Sequence, residues 1–150
     1  PVALTLINID DRTVPVQIDE NGVLFSAKAG TSVSNLPLIS GIPIEYFVEG
    51  MSLPNKYRML LQQLLDIQKN FKEYLAAISE IHIEPKEYGN YDLIIYPINS
   101  KVKVLADRTL NKDALQYMIV ALDIVKSISV ESEIDLRYGS RSFRINGSVD

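Results

Sequence analysis

Residues 52–84, SLPNKYRMLLQQLLDIQKNFKEYLAAISEIHIE, contain a change of hydrophobic period that decides the fold prediction. Apolar residues in the first part recur at the i, i+3, i+4 spacing that buries one face of a helix. They are Tyr57, Leu60, Leu61, Leu64, Leu65, Phe71, Tyr74, Leu75 and Ile78. Ser52 is the predicted N-cap, with Pro54 in the first turn, where a missing N–H is tolerated. Ile81 and Ile83 then alternate with polar residues, which predicts a strand after the helix.

Strands are also expected upstream of this helix. Residues 2–7 and 14–18 are apolar and partly β-branched, and residues 23–25 form a third apolar run. The Asn-Gly pair at 21–22 is typical of a type I′ hairpin turn, which needs positive φ at both central residues. Residues 30–41 mix turn-forming and apolar residues, so an ordered loop is predicted there.

The chain downstream of the quoted stretch predicts further strands and a second helix. That helix starts at Asn111, and Leu110 and Leu115 occupy the two positions of a hydrophobic staple around this cap. The predicted strands cover residues 91–96, 101–105, 132–138 and 143–145. The last two runs form a closing hairpin.

This order of elements predicts an α+β fold in one domain over residues 1–150. We expect a mostly antiparallel sheet with two helices packed on one face and an open edge at the C-terminal hairpin. The predicted helix–sheet core consists of Tyr57, Leu61, Leu64, Phe71, Leu75, Met118 and Leu122.

Composition and charge exclude several classes of function. The 19 acidic and 15 basic residues give a net charge of −4, so a nucleic-acid partner is not expected. The absence of cysteine excludes disulfides, thiol catalysis and iron–sulfur clusters. No run approaches the roughly 18 apolar residues of a membrane helix. Since the chain opens at Pro1 rather than Met, we expect it to be part of a longer protein.

No catalytic or metal-binding constellation is apparent in the sequence. His82 is the single histidine and is expected on the strand face opposite Ile81 and Ile83, as an ordinary surface residue. The acidic pairs at 10–11 and 19–20 lie in predicted turns, where Asp bonds the local backbone. We therefore predict no enzymatic activity, no cofactor and no metal.

Three motifs, in order, resemble the C-terminal domain of the FtsQ/DivIB family. Pro1-Val2-Ala3 followed by residues 18–25, IDENGVLF, resembles the family's opening "P-V-A … V-D-x-x-G-x-x-F" pattern. Residues 36–41, LPLISG, resemble its "L-P-x-x-x-G" loop, and residues 134–138, IDLRY, resemble its closing strand. The resemblance covers nearly the whole chain.

The resemblance implies a non-enzymatic scaffold of bacterial cell division. It implies a membrane-anchored protein with one membrane helix and a POTRA module upstream of this domain. The expected location is the extracytoplasmic, periplasmic face of the cytoplasmic membrane, at the division septum. The expected partners are small coiled-coil division proteins, FtsB and FtsL or DivIC.

The partner site implied by the resemblance lies in the last strands. Its candidate residues are Arg137, Tyr138, Ser142, Phe143, Arg144 and Ile145. Position alone leaves open whether Phe143 and Ile145 meet a partner or face the core.

Two other functions remain open from the residues. One is an envelope-assembly or secretion adaptor domain, which would also lack catalytic residues. The other is a small-molecule-sensing domain with a pocket between helix and sheet, which the continuously apolar sheet-facing residues disfavour.

Overall fold

The computed structural model describes residues 1–27, 36–108, 110–125, 133–137 and 142–144. These residues form one sheet with helices, which confirms the predicted α+β class. The strands are β1 (Ala3–Ile9), β2 (Arg12–Ile18), β3 (Leu24–Ser26), β4 (Leu38–Ser40), β5 (Ile78–Pro85), β6 (Tyr91–Pro97), β7 (Lys103–Ala106), β8 (Glu133–Asp135) and β9 (Ser142–Arg144). The helices are α1 (Arg58–Asn70), α2 (Lys72–Leu75) and α3 (Lys112–Val125).

The sheet is open and mostly antiparallel, as predicted. Its strand order is β3-β2-β1-β4-β5-β6-β7-β8-β9. The pairs β1–β4, β4–β5 and β7–β8 are parallel, and the other neighbouring pairs are antiparallel. The outermost described strands are therefore β3 and β9.

The turn with positive φ at both central residues occurs in the first N-terminal hairpin rather than in the second, where the sequence predicts it. Positive φ at both central residues occurs at Asp10 (50°) and Asp11 (63°), which join β1 to β2. Between β2 and β3 the hairpin forms as predicted, but only Gly22 has positive φ (82°), so the type I′ assignment there is wrong. The Asp19 carboxylate accepts hydrogen bonds from the Asn21 and Val23 amides, both at 2.9 Å, and this closes a wider loop.

The predicted loop over residues 30–41 contains strand β4, which the sequence analysis missed. Leu38–Ser40 lies between β1 and β5 and pairs in parallel with both. Gly41 follows with φ of 85°. A Cβ at Gly41 would collide with the Ile83 carbonyl oxygen and would lie 2.9 Å from the His82 ring, so only glycine fits here. Residues 28–35 lie outside the described part of the chain.

The first helix is shorter than predicted. Ser52 is not its N-cap, because it bridges to Val23 in the sheet; a 3₁₀ turn follows before α1 begins. Phe71, with φ −144° and ψ 50°, separates α1 from α2. Ile78 belongs to β5 rather than to the helix. At both ends of the predicted helix, pairing with the sheet therefore takes residues that the apolar spacing would place in the helix.

The predicted start of the second helix is confirmed. The Asn111 side-chain oxygen accepts a hydrogen bond from the Ala114 amide at 2.9 Å, as an N-cap does. Leu110 and Leu115 are both fully buried. Among the described residues, no helix has the length and apolar character required to cross a bilayer.

One hydrophobic cluster contains buried residues of both the helices and the strands. Of the predicted core, Tyr57, Leu61, Leu64, Leu75 and Met118 are buried, whereas Phe71 and Leu122 are partly buried against the cluster. Alternating strand residues complete it, including Val16 and Ile18 on β2, Ile81 and Ile83 on β5, Leu93 and Ile95 on β6, and Val104 on β7. The predicted burial is therefore confirmed for five of the seven residues.

Candidate partner-binding edge of the sheet

The outer edge of β3 is already occupied by the chain itself. The Leu24 amide donates to the Met51 carbonyl, and the Gly50 amide donates to the Leu24 carbonyl, both at 2.8 Å. The Ser26 amide donates to the Glu49 carboxylate at 3.0 Å, and the Ser26 hydroxyl donates to its second oxygen at 2.8 Å. A carboxylate thus replaces the carbonyl of a neighbouring strand. We name residues 48–51 the edge strap; it leaves no place for another strand beside β3.

The opposite edge is formed by β9. Within the described residues β9 pairs only with β8, in the register Glu133↔Arg144, Ile134↔Phe143 and Asp135↔Ser142. Phe143 is thus the register partner of Ile134, a fully buried residue. Two of the predicted site residues, Tyr138 and Ile145, lie outside the described residues.

The register identifies the β9 residue whose backbone faces outward. The Leu136 amide donates to the Leu105 carbonyl of β7 at 2.7 Å. Because backbone groups alternate along a strand, Ile134 also directs its N–H and C=O toward β7, whereas Glu133 and Asp135 direct theirs toward β9. Ile134 and Phe143 therefore form a non-hydrogen-bonded pair, and the Phe143 N–H and C=O point away from β8.

Arg137 sits at the end of β8, where two carboxylates hold its guanidinium. Its Nε and Nη2 contact the two oxygens of Asp135 at 3.0 and 2.9 Å, and its Nη1 lies 3.3 Å from Asp92 on β6. The hydrogen bonds that Arg137 donates to Asp135, and after them the one it donates to Asp92, raise the pKa of Arg137 above its usual value. Both carboxylates are nearly buried, with side chains about one-tenth exposed. The predicted cationic anchor is thus engaged within the domain, which fixes the end of β8.

Lys86 completes this cluster from the other side. Its ammonium lies 3.0 Å from the same Asp92 oxygen that Arg137 contacts. Asp92 therefore links the β5–β6 hairpin to the end of β8. The sequence analysis missed this cluster, although a lone aspartate inside the apolar run 91–96 was a usable signal, since a buried charge needs a partner.

His82 is more engaged than an ordinary surface residue. It lies on the predicted face, but its Nδ1 is 2.9 Å from the Ser40 hydroxyl and its Nε2 is 3.4 Å from the Glu84 carboxylate. The Ser40 hydroxyl donates its only proton to Glu80 at 2.5 Å. His82 Nδ1 must then donate to Ser40, which is the reverse of the proton transfer that activates a serine nucleophile. The cluster joins β4 to β5.

No metal-binding group stands out in the described part of the chain. Three or more His, Asp or Glu side chains that could hold an ion do not come together there. A cavity lies at the β1–β2 turn, lined by Ile9, Asp10, Arg12 and Val14. This is not the junction of helix and sheet where a small-molecule sensor would place its ligand.

Among the described residues, the edge strap occupies the outer side of β3 and β9 pairs with β8 alone. Addition of a partner strand to an exposed sheet edge is one recurring mode of protein recognition. A family profile described as "Cell division protein FtsQ/DivIB, C-terminal" matches residues 10–137 of the 150-residue chain. The chain therefore belongs to the FtsQ/DivIB C-terminal family, and the resemblance is confirmed. No curated protein and no solved structure matches the chain.

Family membership defines the general role. The FtsQ/DivIB family consists of non-enzymatic scaffolds of cell division, and its C-terminal domains are extracytoplasmic parts of division-site membrane proteins. This chain is accordingly a cell-division protein-interaction domain. The family match ends at Arg137, so β9 lies beyond it.

Proposed function

We propose that this domain binds a small coiled-coil division protein of the FtsB, FtsL or DivIC type by accepting a partner strand on the outer side of β9. It acts without enzymatic activity, metal or cofactor. In the full-length protein a membrane helix and a POTRA module precede it and hold it on the periplasmic face at the septum.

The observation that carries this proposal is the difference between the two sheet edges. The strap fills the outer side of β3, whereas the register turns the Phe143 N–H and C=O outward on β9. An added strand would satisfy both outward groups of Phe143. Arg137, Tyr138, Ser142, Arg144 and Ile145 are the proposed flanking contacts.

Proline substitutions separate backbone pairing from side-chain contact. Phe143→Pro removes the outward N–H, which a partner strand needs, and leaves the inward bonds of Ser142 and Arg144 to β8 in place. Phe143→Ala removes the ring but keeps the N–H. We expect Phe143→Pro to lose binding to the coiled-coil partner and Phe143→Ala to retain more of it, as measured by isothermal titration calorimetry on folded protein.

Arg144→Pro is the matched control for folding. Its N–H faces β8, so this substitution breaks the β8–β9 ladder and should lower the thermal midpoint more than Phe143→Pro does. Equal affinities of Phe143→Pro and Phe143→Ala would exclude strand addition at β9.

A further inference from the structure

Tyr88 occupies a position that disfavours tyrosine on two independent grounds. Its backbone is left-handed, with φ 59° and ψ 33°, a conformation that costs a residue with a Cβ about 1–2 kcal/mol. Its side chain is 98% exposed, so an aromatic ring lies wholly in solvent. Glycine or asparagine would avoid both penalties. The folding of this domain therefore does not account for the tyrosine.

The turn that carries Tyr88 is well held. The Lys86 amide donates to the Asn90 carbonyl at 2.8 Å, and the Asn90 amide donates to the Glu87 carbonyl at 3.2 Å. The Lys56 ammonium donates to the Gly89 carbonyl at 3.4 Å. The ring is thus presented from a fixed backbone, which lowers the entropy cost of burying it against another molecule.

The hairpin tip lies at the same end of the sheet as the end of β8. Lys86, two residues before Tyr88, contacts Asp92, and Asp92 contacts Arg137. A partner strand on the outer side of β9 would lie four sheet positions from β6, which is about 19 Å laterally. A helix of roughly 13 residues spans about 20 Å, enough to run from a strand on β9 to the hairpin tip.

We propose that Tyr88 is a second anchor for the coiled-coil partner, which pairs with β9 and continues across the Lys86–Asp92–Arg137 cluster to cover the Tyr88 ring. This inference rests on the proposed function, because it takes the same partner and a surface continuous with β9. Tyrosine is one of the residue types enriched among the hot spots of protein interfaces.

The test is Tyr88→Asn, which removes the ring and suits the left-handed backbone. The probe is the extracytoplasmic part of the FtsB-like or DivIC-like protein encoded in the same genome, titrated calorimetrically. We expect the affinity to fall roughly tenfold or more. The thermal midpoint should stay the same or rise, since the strain and the exposed ring are both removed. Tyr46→Asn is the matched control, because Tyr46 is 66% exposed but belongs to the segment leading to the edge strap.

The outcomes separate this inference from the proposed function. Loss of affinity in Tyr88→Asn but not in Tyr46→Asn supports the second anchor. Wild-type affinity of Tyr88→Asn, together with weak binding by Phe143→Pro, overturns the anchor and leaves strand addition at β9 standing. Wild-type affinity of both variants overturns both proposals. A marked drop in the thermal midpoint of Tyr88→Asn shows a structural role and also overturns the anchor.

Discussion

Replacing Gly41 by alanine tests the close approach of β4 and β5. Gly41 has φ of 85°, where a Cβ costs about 1–2 kcal/mol. The new methyl group would also collide with the Ile83 carbonyl and crowd the His82 ring, and such overpacking typically costs a further 1–3 kcal/mol or so. We therefore expect Gly41→Ala to lower the free energy of unfolding by about 2–5 kcal/mol, measured by urea denaturation with linear extrapolation.

Gly50→Ala isolates the steric part of this effect. Gly50 has the same φ of 85°, but a Cβ there would meet nothing within 4 Å. The backbone penalty of about 1–2 kcal/mol is thus common to both variants, and only Gly41→Ala carries the collision. If Gly41→Ala were no more destabilising than Gly50→Ala, the described packing of Gly41 against β5 would be wrong.

Two further predictions concern buried ionisable groups. Burial raises the pKa of Tyr57 and Tyr91 above that of an unfolded tyrosine. Their contribution to the free energy of unfolding is therefore complete below about pH 10, and it is lost as the pH rises through the folded pKa. Thermal midpoints should fall above that pH, less steeply in Tyr57→Phe; an unchanged slope would contradict this. Arg137→Met removes a guanidinium from two nearly buried carboxylates, Asp92 and Asp135, and should cost on the order of 3 kcal/mol. Lys86→Met should cost under about 1 kcal/mol, because Asp92 still contacts Arg137 in that variant. If urea denaturation gave equal losses of stability for Lys86→Met and Arg137→Met, the assigned role of Arg137 would be wrong.

Long periodic segments of this chain were predictable from sequence, whereas features made by pairing across the sheet were not. The face of α1 and strand β5 follow from hydrophobic period, and β6 follows from a largely apolar run of residues. Strand β4 has three residues, too few to establish a period, and it exists because β1 and β5 both pair with it. Ser52 has the chemistry of an N-cap, yet its backbone joins the sheet through Val23.

The closing hairpin was predictable from sequence, but the contacts around it were not. The closing hairpin could be assigned to the last strands from order and alternation. The partners of Arg137 could not, because Asp92 is 45 residues distant and reaches it only across the assembled sheet. The edge strap was hidden for the same reason, since Glu49 and Ser26 are separated by 23 residues.

The closed edge of β3 limits the number of partner strands that the sheet can accept. A sheet with two free edges accepts a strand on each side, so chains of such sheets propagate, as in fibres. Glu49 and its neighbouring backbone occupy one of those two sides. If a partner strand fills the other, the assembly terminates at one strand per domain. A scaffold concentrated at a narrow site would then bind one partner per domain, and its sheets would not polymerise with one another.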